Sequence, residues 1–263
     1  MLARAVGRLR KTSNGISVCQ GICHPPLAAK TPHSPRYWSD QEVEASQDPL
    51  PLFVFCHATS FCKEIWQPFV DELQKLSREP FRWVSFDFSC HGDSRAEADA
   101  NHWKDWKVAK EDVCSVLKEF RGDCNKIVGV GHSMGATSLV LAELENPGMF
   151  ATLQLMEPVI FPHPESSNRP DAITEGLKRS AMKRRSEWSS FEELEQYMQT
   201  REAFKKFDSR AMKAYIHGGF RQTEDDKLTL KCQPQHEVNV YAGRPNSEEM
   251  KLDQVNCPVN ILA

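Results

Sequence analysis

The stretch Ile127 to Leu141, IVGVGHSMGATSLVL, constrains this chain more than any other part of it. Apolar residues broken only by Gly129 run into Gly131-His132-Ser133-Met134-Gly135, and small residues with a helical pattern follow. That order predicts a buried strand, a sharp turn and a helix. A serine at the apex of such a turn sits in strained backbone at the tip of a sheet. Glycines two residues to either side let the chain pass without side-chain clashes. The turn lifts the Ser133 hydroxyl clear of its surroundings and leaves the Met134 N–H pointing toward it. A plain glycine-bracketed loop is the competing reading, and the strand before the motif and the helix after it argue against that.

The 263 residues are 40% hydrophobic, enough for one large core or for one core and a subdomain. The 33 basic and 36 acidic residues leave a net charge of -3, so no broad field calls for nucleic acid or a membrane surface as partner. No apolar run approaches the roughly 18 residues of a transmembrane helix, and a soluble chain is expected. The nine cysteines are odd in number and irregularly spaced, without a C-x-x-C pair. Reduced thiols in an intracellular compartment are the expectation. Cys19, Cys23 and His24 come nearest to metal-ligand spacing, but they lack a second half, and no metal site is expected.

Residues 1–39 contain no Asp or Glu, while Arg4, Arg8, Arg10 and Lys11 crowd the first dozen positions. On a helix Arg4, Arg8 and Lys11 would share a face, which is the composition of a mitochondrial transit peptide. A disordered basic tail or a misplaced start is the alternative. The proline-rich Cys23 to Tyr37 reads as linker.

Further along, Pro49 to Phe55 and Phe81 to Phe86 read as buried strands, with helices at Ile65 to Leu76 and Trp106 to Phe120. Another strand, Ala151 to Met156, stops at Glu157-Pro158. Strands alternating with helices predict an α/β fold, a mostly parallel sheet flanked by helices, whose ligands bind beyond the carboxyl ends of the strands. His57, Asp87, Ser133 and Glu157 all fall just after strands, on that one edge. Four polar features gathered there point to an enzyme.

With these pieces in view the chain resembles the α/β-hydrolase family. His57-Ala58-Thr59 stands where the family commonly has His-Gly-x, and Asp87-x-x-Cys90-His91-Gly92-Asp93-Ser94 where Asp-x-x-Gly-x-Gly-x-Ser is usual. Both precede the GHSMGA turn. The match covers residues 50 to 163 and specifies no substrate. It implies Ser133 as nucleophile, an oxyanion hole from the Thr59 and Met134 N–H groups, and chemistry that needs neither metal nor organic cofactor. The implied substrate is a small hydrophobic ester, thioester or related carbonyl compound. Buried in their turns, His57, His91 and His132 read as structural.

A serine nucleophile needs an imidazole base and a carboxylate to orient it. In some family members that carboxylate follows the strand after the turn helix, and Glu157 resembles this arrangement. A strand-end carboxylate that pairs or caps is the other reading of Glu157, since the family's acid usually follows the strand after that one, a position that would lie beyond Ala263. Residues 1–48 then form a basic leader and linker with room for early strands, and 49–162 form the core. Residues 163–235 form a helical cap, and 236–263 return to the core and end in a strand. In the cap, helices are expected at Ala172 to Arg185, from a capping box Ser190-x-x-Glu193 to about Lys206, and from Ser209 to Ile216, stopped by Gly218-Gly219. Lys178, Lys183, Arg184 and Arg185 could bind an anion but read better as a solvated helix face. Leu252 to Ala263 resembles the start of the family's next strand. The family's catalytic histidine comes after one further strand, and His163, His217 and His236 do not match its motif. A serine hydrolase acting through an acyl-Ser133 intermediate is therefore set against an impaired, truncated form or a pseudoenzyme that binds a hydrophobic small molecule or protein partner. Oligomeric state is left open.

Overall fold

Both faces of the central strands are apolar, so helices must cover the sheet on two sides. In Leu52–Cys56 (β3), Leu52, Val54, Phe55 and Cys56 are all buried, and Phe81–Phe86 (β4) buries Phe81, Trp83, Val84 and Phe86. The computed structural model describes residues 8–23, 26–27, 36–37, 49–94, 103, 105–160, 172–243, 245 and 250–263. His163, proposed from sequence as lying in the cap, falls outside these residues, as do His24 and Arg4.

Two further strands, Ile127–His132 (β5) and Thr152–Met156 (β6), run parallel to β3 and β4. The register places Cys56 opposite both Phe86 and Gly131, and His132 opposite Met156. His57, Asp87, Ser133 and Glu157 therefore leave the sheet side by side at its carboxyl edge. Val259–Leu262 (the last strand) extends the parallel array against β6, with Ile261 opposite Leu155, as expected for the residues after Cys257-Pro258.

The other sheet edge departs from expectation. Arg8–Lys11 (β1), whose basic residues would share a helix face, is an exposed edge strand paired with Ser17–Cys23 (β2). The turn between them has Gly15 at φ 82, with the Gly15 N–H donating to Thr12 O at 2.9 Å. Asn14-Gly15 is a strong hairpin signal, masked here by the surrounding basic composition. β2 adds antiparallel to β4 and buries Val18 and Cys23, so Cys19 and Cys23 belong to the sheet and not to a loose leader. All nine cysteines are free thiols.

Helices Lys107–Phe120 (α2) and Met134–Glu145 (α3) pack on one face, where Val113, Val116 and Leu139 meet Val54, Val84 and Leu153. Helix Gln67–Leu76 (α1) covers the other, over Phe55, Trp83 and Val130.

From Ala172 onward strand-helix alternation gives way to helices Ala172–Met182 (α4), Phe191–Thr200 (α5), Ser209–Gly219 (α6) and Pro234–Ala242 (α7). The expected cap at Ser190 forms, with Glu193 N–H donating to Ser190 Oγ at 3.2 Å. The Glu193 carboxylate closes back onto Ser189, not Ser190, accepting from its N–H at 2.7 Å. Helix α6 ends at the Gly218-Gly219 pair, as expected, with both glycines in its last turn and Phe220 already extended. A Cβ on Gly218 would lie 2.6 Å from Cys62 Sγ, so this glycine serves close packing against the 3-10 turn Lys63–Trp66. A small antiparallel sheet of Glu187–Trp188, Phe220–Gln222 and Leu228–Leu230 completes this segment around Trp188, Tyr215 and Phe220. Its strands are too short to show periodicity in sequence. Among the described residues no helix is long and apolar enough to cross a membrane.

Candidate functional site

Ser133 stands between β5 and α3 at φ 51 and ψ -114, a conformation that costs a non-glycine residue energy and persists only where its surroundings enforce it. Those surroundings are visible. A Cβ on Gly131 would lie 2.6 Å from both Ala136 Cα and Ala136 N, and one on Gly135 would run into the Cys56 carbonyl. Only glycine lets the strand, the turn and the helix approach so closely. The Ser133 N–H donates to Met156 O at 2.8 Å, and the Thr137 N–H to Ser133 O at 3.1 Å. Thr137 Oγ1 in turn accepts from the Val159 N–H at 2.9 Å, tying the segment after β6 to the same turn.

The half-buried Ser133 lines a cavity of about 200 Å³ together with Ala58, Thr59, Trp106, Val159 and Leu177. Its walls are mostly apolar, so a ligand there would be held by desolvation. Met134, the first residue of α3, buries its side chain completely, and its backbone N–H is among those at a helix start that have no intrahelical acceptor. Thr59 occupies a tight turn closed by the Phe61 N–H donating to Ala58 O at 3.1 Å, with Ser60 at φ 68. Ser133 and Thr59 thus line one cavity, and Met134 follows Ser133 in the chain as the first residue of α3.

A buried ion-pair network anchors that turn. The fully buried Lys63 donates from its backbone to Asp87 Oδ1 and from Nζ to Asp87 Oδ2, each at 2.7 Å. Nζ also reaches Glu64 at 2.7 Å and Asp93 at 3.0 Å. Burial works against the ammonium, yet Asp87 and Glu64 outweigh it and hold Lys63 protonated. Asp87 accepts further from the Asp93 N–H at 2.8 Å, and a Cβ at Gly92, φ 47, would collide with its carboxyl group. The Asp87-to-Ser94 turn is therefore a clamp for Lys63. No pattern in the sequence singles out Lys63; its position amid apolar Phe61, Cys62 and Ile65 is the one hint.

The histidines divide. His57 Nε2 accepts from the Phe88 N–H at 3.1 Å, so Nδ1 carries the proton and donates to Ala58 O at 2.8 Å. Burial first, and then His91, hold its pKa well below the ordinary value. The structural reading of His57 stands on those two bonds. His91 is buried beside it with Nδ1 against Ser89 O at 3.0 Å, and burial lowers its pKa to about 4. His132 is different. It is half-buried, lines the Ser133 cavity, and sets Nε2 3.7 Å from Glu157 Oε2. Burial lowers its pKa and Glu157 partly offsets this.

Glu157 sits at φ 45, with its N–H donating to Leu262 O at 2.7 Å. Its side chain is 74% exposed. It lines a second cavity of about 820 Å³, which shares Ala58 and His132 with the first but not Ser133. Among the described residues no imidazole is hydrogen-bonded to Ser133 Oγ, and none of them forms a group of three His, Cys, Asp or Glu able to hold a metal.

This arrangement has relatives. The model of the alpha/beta hydrolase family matches residues 53–241. The chain belongs to that family. This alpha/beta hydrolase is 26% identical over 174 residues to the Type I acyl-CoA thioesterase mpaH of Penicillium brevicompactum, covering 61% of this chain and 38% of that protein. It is 32% identical over 120 residues to the abhydrolase domain-containing protein AKT2 of Alternaria alternata, covering 45% and 41% respectively. The chain thus spans well under half the length of these curated relatives. Among solved structures, E-2-(acetamidomethylene)succinate hydrolase superposes with a TM-score of 0.67 at 15% identity, over 97% of this chain and 80% of that one. At that identity the likeness establishes the fold.

Proposed function

We propose that this alpha/beta hydrolase cleaves an ester or thioester through an acyl intermediate on Ser133. The observation that carries the proposal is Ser133 at φ 51, forced there by Gly131 and Gly135 at the mouth of an apolar cavity. A binding pocket has no need of so strained a residue. In this reading Ser133 Oγ attacks the substrate carbonyl carbon and gives up its proton to a base. The carbonyl oxygen becomes an oxyanion facing the Met134 and Thr59 N–H groups. Each such donor is typically worth about 3 to 4 kcal/mol in the transition state. The leaving thiol or alcohol takes a proton, and water then releases the acid. In this reading the cap, residues 163–235, contributes Leu177 to the wall that meets the acyl group, and Tyr241 from the segment after it lines the same cavity. The relative described as an acyl-CoA thioesterase supports a thioester. Glu157 is the proposed orienting carboxylate.

A second reading rests on the Ser133 hydroxyl having no imidazole bonded to it among the described residues: a site that binds a hydrophobic carbonyl compound but turns it over poorly. Losing the base of such a site costs on the order of a million-fold in turnover. A fluorophosphonate probe separates the two. Labelling that disappears in Ser133→Ala supports the hydrolase, and a folded chain that stays unlabelled supports the binder. The acid-free, arginine-rich start supports a mitochondrial address. Because Ser17–Cys23 is built into the sheet, processing would have to stop short of Ser17.

A further inference from the structure

Ala58 follows β3 and His132 ends the neighbouring β5, and both line the Ser133 cavity of about 200 Å³ as well as the 820 Å³ cavity beside it. Ala58 contributes a single methyl group, so the bulk of that shared wall is the His132 imidazole. The ring is braced from the larger cavity. Phe61 stacks on it with ring centroids 6.3 Å apart and planes at 26°, and Glu157 Oε2 stands 3.7 Å from its Nε2. Phe61 and Glu157 both line the larger cavity, and neither lines the smaller.

The larger cavity suits an apolar chain. Ile65, Trp66, Phe69 and Phe207 line it, and its Arg210 is already paired with Glu72 at 2.6 Å and with Asp208 at 3.0 Å. Ligand pockets run to roughly 300 to 1,000 Å³. The larger cavity falls within that range, and the Ser133 cavity falls below it. An apolar cavity of about 150 Å³ holds benzene, so the Ser133 cavity takes roughly eight carbons.

We propose that His132 is the specificity-determining residue of this site: its imidazole is the partition between the Ser133 cavity and the aromatic one, and it limits the substrate to acyl groups of up to about eight carbons. The proposal rests on the hydrolase reading for what fills the Ser133 cavity; the partition stands on its own residues. Without that ring, an acyl chain would run on past Ala58 toward Phe207.

The test reads binding without turnover. The full chain carrying Ser133→Ala is titrated by calorimetry with straight-chain primary amides of four to ten carbons, which are uncharged and keep the carbonyl. Affinity is expected to rise roughly fourfold per methylene up to about eight carbons and then to level off. With His132→Ala added the rise should continue, so that the ten-carbon amide binds about tenfold tighter than the eight-carbon one. His132→Phe on the same background keeps the bulk and should keep the break, which separates a partition from an effect of the imidazole's charge. Phe207→Ala, added to the chain with His132→Ala, should remove several-fold of the ten-carbon gain. Phe207 lines the 820 Å³ cavity and not the 620 Å³ cavity that adjoins the Ser133 cavity at Tyr241, so that loss fixes the direction the chain takes. His132→Ser reads the same break should alanine destabilise the strand end. An unchanged break in His132→Ala, with the fold intact by circular dichroism, overturns the proposal. So does a Ser133→Ala parent whose affinity climbs unbroken to ten carbons, or one that is folded and binds no amide. Failure of phosphonate labelling at Ser133 would sink the hydrolase reading and leave the break untouched.

Discussion

The Ser133 N–H donates to the Met156 carbonyl at 2.8 Å, and that single bond sets the spacing of the candidate nucleophile and the candidate acid. Met156 is the last residue of β6, so Glu157 must emerge beside His132, one residue before Ser133. The result is the 3.7 Å approach of Glu157 Oε2 to His132 Nε2.

The Glu157 carboxylate raises the His132 pKa against the lowering effect of burial. In Glu157→Gln the His132 titration, followed by NMR, should move to lower pH while urea stability changes little, since the side chain is 74% exposed. An unmoved titration would show that the two groups do not meet in solution.

Ser133 is held at a positive φ that glycine adopts freely. Removing the hydroxyl in two ways separates chemistry from strain. Ser133→Gly should be more stable than Ser133→Ala by about 1 kcal/mol in urea unfolding, because alanine keeps the strain. Equal stabilities would mean the turn relaxes.

Lys63 is buried against Asp87 with neither side chain exposed. Lys63→Met leaves that carboxylate uncompensated and should cost about 3 to 5 kcal/mol. Adding Asp87→Leu should restore part of the loss. A single variant as stable as the parent would show that the network carries no weight.

His91 gives a pH dependence of definite sign. Burial lowers its pKa to about 4 from 6.5. Between those values the unfolded chain binds a proton that the folded chain does not, so stability falls as pH drops through that window, by about 3 kcal/mol. His57 acts in the same direction, while Asp112, pushed up to about 7 by burial, acts against it. Glu237, His236 and Arg184 also face His91. The difference between wild type and His91→Gln isolates the one group: the variant should lose less stability than wild type between pH 7 and pH 4.5.

The parallel core was legible because its strands are apolar on both faces and its turns carry glycines that no other residue could replace. Phe81–Phe86 ends where the sequence reading placed it, and β5 leads into the turn at Ser133. The Arg8–Cys23 hairpin was not legible, because composition spoke for a leader more loudly than Asn14-Gly15 spoke for a turn. Gly218-Gly219 was legible as a helix end, but sequence does not reveal that Cys62 and Glu64 press against Gly218 there. At the candidate site, the positions of Ser133, Met134 and Thr59 follow from local turn chemistry. Lys63 depends on Asp87, 24 residues away, and only the fold brings the two together.

The most direct measurement is intact-mass and peptide-map analysis of the chain quenched in acid shortly after mixing with a short-chain acyl thioester. An acyl group on the peptide containing Ser133, absent from Ser133→Ala, is the expected result. Thioester hydrolysis that persists in Ser133→Ala, with no acyl group on Ser133 of the folded parent, would contradict the acyl-serine route.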